Sequence, residues 1–295
     1  MYYAAALAAF ALPLGGLGDY QPGPLTGPSA TGATVAAAAA AAGRTYGGHT
    51  NGGEPIVFRT SGRKLRTIVL QVHTPCDSGA FFPAATTLGG GGKSTAPAIH
   101  GTRISRTGRF SATAAGTADL GDQTATVLLT VAGKLGRSHS SGGVGVDVTV
   151  ADDATGQQTD HCHATETWSQ TVPERRVFGG STAEDTPVVI ELNRRRTSVK
   201  TFWFGVFADC TPQGAINPSD AITDFRIRKH RFGDSFSDEG ADSSGGRLHV
   251  DYALKGRIGR SRSSGTIQIT AIDRDAQGNV TSNCPSGPVS WNAHQ

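Results

Sequence analysis

Short apolar runs in which every second residue is polar or small recur along the chain. Ile68, Leu70 and Val72 fall on one face of an extended strand, with Cys76 further along the same face. The same period of two recurs in four further segments: 127–131, 144–150, 202–206 and 267–269. Turn sequences rich in Asp and Gly separate the runs, and no segment shows a helical repeat over three turns. The pattern predicts an all-β protein.

The pattern occurs twice. The run that ends at Cys76 matches the run that ends at Cys210, at an offset of 134 residues. GKLGRSHSSG, from Gly133, matches GRIGRSRSSG, from Gly256, at an offset of 123. These matches predict a tandem duplication of a unit of about 120 residues. We expect four parts: a signal-like, low-complexity region 1–45, a first repeat 46–171, a linker 172–177 and a second repeat 178–295.

About seven or eight short antiparallel strands are expected in each repeat. Strands separated by turns at this spacing are typical of sandwiches and small barrels. A β-sandwich of the jelly-roll or immunoglobulin-like kind is favoured, because two inner faces would bury the one-sided Val, Ile and Phe positions. A small β-barrel in each repeat is the alternative.

Composition narrows the classes of partner. The formal charge is +3, which is too small for a dedicated nucleic-acid binder, and no run of 18 apolar residues exists to cross a membrane. Met1–Leu12 is apolar, and Ala40–Ala42 offers a cleavage site, although no Lys or Arg precedes Arg44. We therefore expect export, with cleavage near Ala42 and a secreted, extracellular or periplasmic location. A disordered Ala/Gly/Pro tail is the alternative.

Four cysteines are distributed as one pair in each repeat. This even distribution predicts the disulfides Cys76–Cys162 and Cys210–Cys284, which need an oxidising compartment. A metal cluster at His161-Cys162-His163 is the competing interpretation. Its counterpart around Cys284 has no histidine, so we expect no metal and no cofactor.

Catalytic motifs are missing from the sequence. GGGGKST, at 89–95, has Thr87 where a phosphate-binding loop needs glycine, and both GRSxS segments lack the last glycine of a nucleophile elbow. Asp152, Asp153 and Glu166 could meet in space, as could His161 and His163. We expect no catalysis. A secreted hydrolase that uses loop Asp and Glu residues on a polysaccharide is the alternative.

Basic and aromatic residues supply the candidate ligand contacts. Arginine-rich stretches occupy equivalent places in the repeats and could attract an anionic polymer: Arg103, Arg106 and Arg109 in the first, and Arg226, Arg228, Lys229 and Arg231 in the second. Solvated turns and edge strands would explain the same residues without a ligand. Trp203 is a candidate for an exposed contact or for the junction between the repeats, whereas Trp168 and Trp291 are expected in the cores.

The run YGG…PIV…C…GRF…G-[KR]-[LI]-G-R…C…W resembles secreted tandem β-sandwich proteins of GC-rich actinobacteria and their relatives. The resemblance implies an exported β fold and carries no activity. The sequence as a whole indicates a non-catalytic binding or structural protein of the cell surface or extracellular space. Its expected partner is a glycan or an anionic cell-wall polymer.

Overall fold

Strands make up the regular structure in the described part of the chain. The computed structural model describes residues 43–79, 81–88, 99–120, 122–171, 176–212, 215–216, 218–241 and 246–295. The all-β prediction is confirmed, and the described residues include no helix that is long and apolar enough to cross a membrane. The region 1–42, the loop 89–95 and residues 172–175 of the expected linker lie outside the described residues.

Domain 1 is one continuous antiparallel sheet of eight strands. Its strands are β1 (Gly43–Thr50), β2 (Pro55–Ser61), β3 (Lys64–Pro75), β4 (Phe81–Leu88), β5 (Arg109–Asp119), β6 (Gln123–Lys134), β7 (Ser140–Asp152) and β8 (Gln158–Gln170). They are hydrogen-bonded in the order β4-β3-β2-β1-β8-β7-β6-β5. Because β1 begins at Gly43, the sheet starts three residues before the boundary expected from the repeat.

Domain 2 repeats this order with small changes. Its strands are β9 (Val177–Thr182), β10 (Pro187–Leu192), β11 (Ser198–Gly205), β12 (Ala208–Asp209), β13 (Ala215–Ile216), β14 (Ser219–Arg226), β15 (Arg231–Ala241), β16 (Arg247–Ile258), β17 (Arg262–Arg274), β18 (Val280–Pro285) and β19 (Val289–His294). The order is β14-β11-β10-β9-β19-β17-β16-β15, and β18 also pairs with β17. Strands β18 and β19 together take the place of β8.

Each sheet curls over its own core. In domain 2 the two ends of the strand order, β14 and β15, are joined by only four residues, 227–230, so the sheet must bend back on itself. It forms a nearly closed barrel, whereas domain 1, with a longer connection from β4 to β5, forms a half-barrel. The continuous hydrogen bonding in each domain therefore matches the barrel arrangement that the sequence left open.

The two domains have separate, homologous cores. In domain 1, Phe58 and Phe110 pack around Trp168, and in domain 2, Phe202 and Phe232 pack around Trp291. Both tryptophans are buried, as the sequence predicted. Burial of such rings is a large part of the hydrophobic stabilisation of a small β domain.

A disulfide crosses each domain. Cys76 is bonded to Cys162, and Cys210 is bonded to Cys284, as predicted. Cys76 and Cys210 directly follow β3 and β12, and their partners lie on β8 and β18. On the chain-entropy argument, loops of 86 and 74 residues make each bond worth about 4–5 kcal/mol.

A third apolar cluster joins the domains. Val57 and Val69, on β2 and β3, pack with Val177, Val189 and Trp203, on β9, β10 and β11. These side chains point away from the cores of their own sheets, because their neighbours along the strands fill those cores. Strands near the start of each domain are consequently buried on both faces.

Two glycines at equivalent positions let the sheets approach. A Cβ added to Gly47 would lie 2.8 Å from Val177 Cγ1 and 2.9 Å from Val189 Cγ1. On the other side, a Cβ added to Gly179 would lie 2.6 Å from Val57 Cγ1. The interface thus uses the same surface of both repeats, in the manner of a two-fold dimer.

We predict that Gly47→Ala destabilises the protein by about 1–3 kcal/mol, because the new methyl group overpacks the interface. Urea unfolding measures the change. Gly143→Ala is the matched control, since its Cβ would meet nothing closer than Glu166 O at 3.6 Å. Equal stability of the two variants would contradict the close approach at Gly47.

Candidate functional site

The arginines predicted from the first repeat come together in an open cleft. Arg103, Arg106 and Arg109 line it with Arg63, Ser105, Phe110 and Ser111, and its volume is about 750 Å3. All four arginines are exposed, and no acidic residue lines the cleft. Among the described residues none of the four forms an ion pair. We call this surface the arginine cleft.

Backbone hydrogen bonds fix the walls of the arginine cleft. Arg63 O accepts from Ile104 N at 2.9 Å, and Arg63 Nε donates to Ile104 O at 3.1 Å. On the other wall, Ser105 N donates to Arg109 O at 2.8 Å, and Ser105 Oγ accepts from Arg109 N at 2.8 Å. The side chains therefore project from a rigid frame. Arg63 was missed from the sequence because it lies far from the arginine-rich stretch along the chain.

The equivalent cleft of domain 2 has a mixed charge. Arg226, Arg228 and Arg231 line it, but so do Asp224 and Asp234, and its volume is about 380 Å3. Lys229 lies in the adjoining turn and is not part of the lining. The position of Arg63 is taken by Thr197, whose carbonyl makes the same bond, to Ile227 N at 2.9 Å. The two clefts therefore share a backbone arrangement and differ in the charge of their lining.

Trp203 is not available to a ligand, which corrects one of its two predicted roles. Its side chain is only 8% exposed and lies in the cluster between the domains. It stacks on His49 of domain 1, with ring centroids 5.1 Å apart. The alternative placement at the junction is the one that the structure adopts.

A carboxylate pair that the sequence did not indicate, buried Glu54 and half-buried Glu166, lies where β1, β2 and β8 meet. Glu54 is 4% exposed; its carboxylate accepts from Thr50 Oγ1 and is bonded to His73 Nδ1 at 2.9 Å. Burial opposes ionisation of Glu54, but the bonds from His73 and Thr50 outweigh it and hold its pKa below the usual value. Burial and the nearby charge of Glu54 raise the pKa of Glu166.

This pair differs from the arrangement of carboxyl groups on which the hydrolase alternative was based. A glycosidase holds two carboxyl groups on either side of a substrate in a cleft. Glu54 is enclosed, and neither described cleft is lined by it or by Glu166. Asp152 and Asp153 lie at the far end of β7, while Glu166 is paired with Val144 at the opposite end. The three acids named from the sequence are therefore not brought together.

A second exposed group of polar residues lies beside the disulfide of domain 1. His161 and His163 project from β8 near Asp77, and their donor atoms all lie within 4.8 Å of one another. The sequence named both histidines but missed Asp77. The signal was present, because a disulfide between Cys76 and Cys162 necessarily brings the residues that flank these cysteines together.

The acidic turn at Asp273–Asn279 connects β17 to β18 as a hairpin. Asp275 accepts bonds from the main chain of Gln277 and Asn279 and from the Asn279 side chain. These bonds lower the pKa of Asp275 and use its carboxylate inside the turn. The bonds within the turn therefore explain Asp275 without a calcium ion.

We predict that Glu166→Gln raises the melting temperature by a few degrees near pH 7. The raised pKa means that folded Glu166 binds its proton more tightly than the unfolded chain does. Stability of the native protein therefore falls as pH rises from about 4.5 through that raised pKa. The glutamine side chain of the variant does not titrate, so the gain should shrink toward pH 4. Thermal unfolding between about pH 4 and pH 7 measures the gain in melting temperature, and Glu239→Gln, at an exposed position, is the control. A gain that is independent of pH would contradict the interaction between the two carboxyl groups.

Comparisons with known proteins do not test the resemblance noted from the sequence. No family model, curated protein or solved structure matches the chain. The resemblance to secreted proteins of GC-rich actinobacteria stays a prediction.

Proposed function

We propose that the protein is an exported, non-catalytic binding protein whose ligand is an anionic polymer. One observation carries the proposal: four exposed arginines converge on the arginine cleft without an acidic residue among its lining. Uncompensated positive charge at one place on a nearly neutral surface attracts anions and raises their local concentration.

The side-chain chemistry favours phosphate or carboxylate groups. A guanidinium presents planar paired donors that match these oxygens, and it stays charged at any physiological pH. The cleft is open and its arginines are exposed, which suits a chain that lies across the surface. An acidic polysaccharide or a polyphosphodiester of a cell wall has this form.

The cysteines and the N-terminal region support a location of the protein outside the cell. Two disulfides indicate an oxidising, extracellular-type environment. The apolar segment Met1–Leu12, with the small residues up to Ala42, supports export and removal of a leader. Outside the cell, anionic wall polymers are abundant, so a modest affinity for each site is sufficient for retention at the surface.

The two domains have different roles in this proposal. Asp224 and Asp234 offset the arginines of the domain 2 cleft, so its attraction for a polyanion is weaker. Domain 1 carries the ligand, and domain 2 supports it through the shared interface.

We predict that the purified protein binds polygalacturonate or polyphosphate and that Arg103→Ser/Arg106→Ser weakens binding by about tenfold or more. Co-sedimentation or biolayer interferometry measures the affinity, with uncharged dextran as the negative ligand. Arg226→Ser/Arg228→Ser is the matched control in domain 2 and should cost much less. Raising the salt concentration should weaken binding of the native protein more than that of the Arg103/Arg106 variant.

Three results would overturn the proposal: absence of binding to every polyanion, equal losses in the two paired variants, or binding that is insensitive to salt. Circular dichroism of each variant must match that of the native protein. We expect this match, because substitution of exposed side chains such as these changes stability only slightly.

A further inference from the structure

We propose that Asp77, His161 and His163 form an open binding site for one divalent transition-metal ion such as Zn2+. The three donor atoms lie within 4.8 Å of one another, and His161 Nδ1 is 4.0 Å from Asp77 Oδ2. In a tetrahedral zinc site with bonds of about 2.0–2.1 Å, neighbouring donors are about 3.3 Å apart. Rotation of the exposed side chains can move the donor atoms by about an ångström, which brings them to the spacing of a zinc site.

The backbone around the three residues is already fixed. The disulfide Cys76–Cys162 connects the turn that carries Asp77 to the strand that carries both histidines. Asp77 N also donates to His161 O at 2.9 Å, and Ser78 Oγ donates to Asp160 Oδ2 at 2.6 Å. Three connections therefore hold the two elements together, so binding requires ordering of side chains only.

A neighbouring carboxylate orients the first histidine. Asp147 lies opposite His163 in the register of β7 and β8, and its Oδ2 is 3.1 Å from His161 Nε2. If Nε2–H donates to this oxygen, Nδ1 keeps its lone pair and faces Asp77. Metal-binding histidines commonly have such a carboxylate partner, which fixes the tautomer and the ring orientation.

The donor set selects the class of ion. Two imidazoles and one carboxylate suit Zn2+, Cu2+ or Ni2+, whereas Ca2+ and Mg2+ prefer oxygen ligands throughout. Asp77 is 69% exposed and His161 is 32% exposed, so water can occupy the remaining coordination positions. The site is therefore open to a further ligand on the bound metal.

Domain 2 shows that the histidines are not needed for the disulfide. It keeps the equivalent bond, Cys210–Cys284, but has Thr211, Asn283 and Pro285 at the places of Asp77, His161 and His163. The equivalent disulfide therefore forms beside residues that offer no comparable set of metal donors. The donors in domain 1 are thus additional to the structural requirement.

The site is also separate from the arginine cleft. Arg63 lies directly before β3, whereas Asp77 follows it, so the two surfaces are at opposite ends of that strand. The metal proposal consequently does not depend on the proposed polymer ligand. The Arg103→Ser/Arg106→Ser variant should bind metal as the native protein does.

The test is isothermal titration calorimetry of the untagged protein with ZnCl2 near neutral pH. We expect one Zn2+ per chain, an affinity about 100-fold lower or lost in His161→Ala/His163→Ala, and an affinity about tenfold lower in Asp147→Asn. His249→Ala is the matched control and should change nothing, since His249 lies 3.3 Å from Asp251 in a domain without the donor set. Excess MgCl2 or CaCl2 should not compete.

A second measurement locates the ion. Cu2+ is paramagnetic, so in NMR spectra it should broaden the amide signals around Asp77, His161 and His163 before all others. Lack of stoichiometric Zn2+ binding, retained affinity in the double variant, or broadening centred on another histidine would overturn the site. Thermal unfolding confirms that the double variant is folded, as its exposed strand positions lead us to expect.

Discussion

Close contact between two sheet faces is the constraint on which the rest of the structure depends. The methyl groups of Val177 and Val189 meet the chain at Gly47, and those of Val57 meet it at Gly179. Strands near the start of each domain are thereby buried on both faces. Successive residues along them pack alternately into the domain core and into the interface between the domains. Any side chain at either glycine would push apart the surfaces that make the two repeats one body.

The interface involves the middle of these strands, so residues at the strand ends can differ between the two domains. The middle of β3 is held between the core of domain 1 and the interface, but Arg63 before it and Asp77 after it are exposed. At these ends the two copies differ in chemistry: Arg63 corresponds to Thr197, and Asp77 corresponds to Thr211. A duplicated scaffold therefore carries its charged surface and its metal donors in domain 1.

Much of this architecture could be predicted from the chain alone. Periodicity of two predicted the β class, and the Cys and Trp positions that recur in both repeats predicted both disulfides and both core tryptophans. The interface could be predicted only in part, since Trp203 was already a candidate for the junction, whereas Val57 looks like an ordinary strand residue until its partner surface is known. Glu54 and Arg63 were missed for the same reason: their partners are distant in sequence. Asp77 could have been predicted as part of the site, because it is adjacent to a cysteine of the predicted disulfide.

Amide hydrogen exchange in the native state tests most directly whether the two sheets are one body. If strands buried on both faces couple the domains, amides of β2 and β10 exchange only through global unfolding and report the same free energy of opening. We expect this common value, and we expect both free energies to decrease together when urea is added. A lower free energy for β10, with β2 still protected, would show that domain 2 opens by itself and would contradict the account.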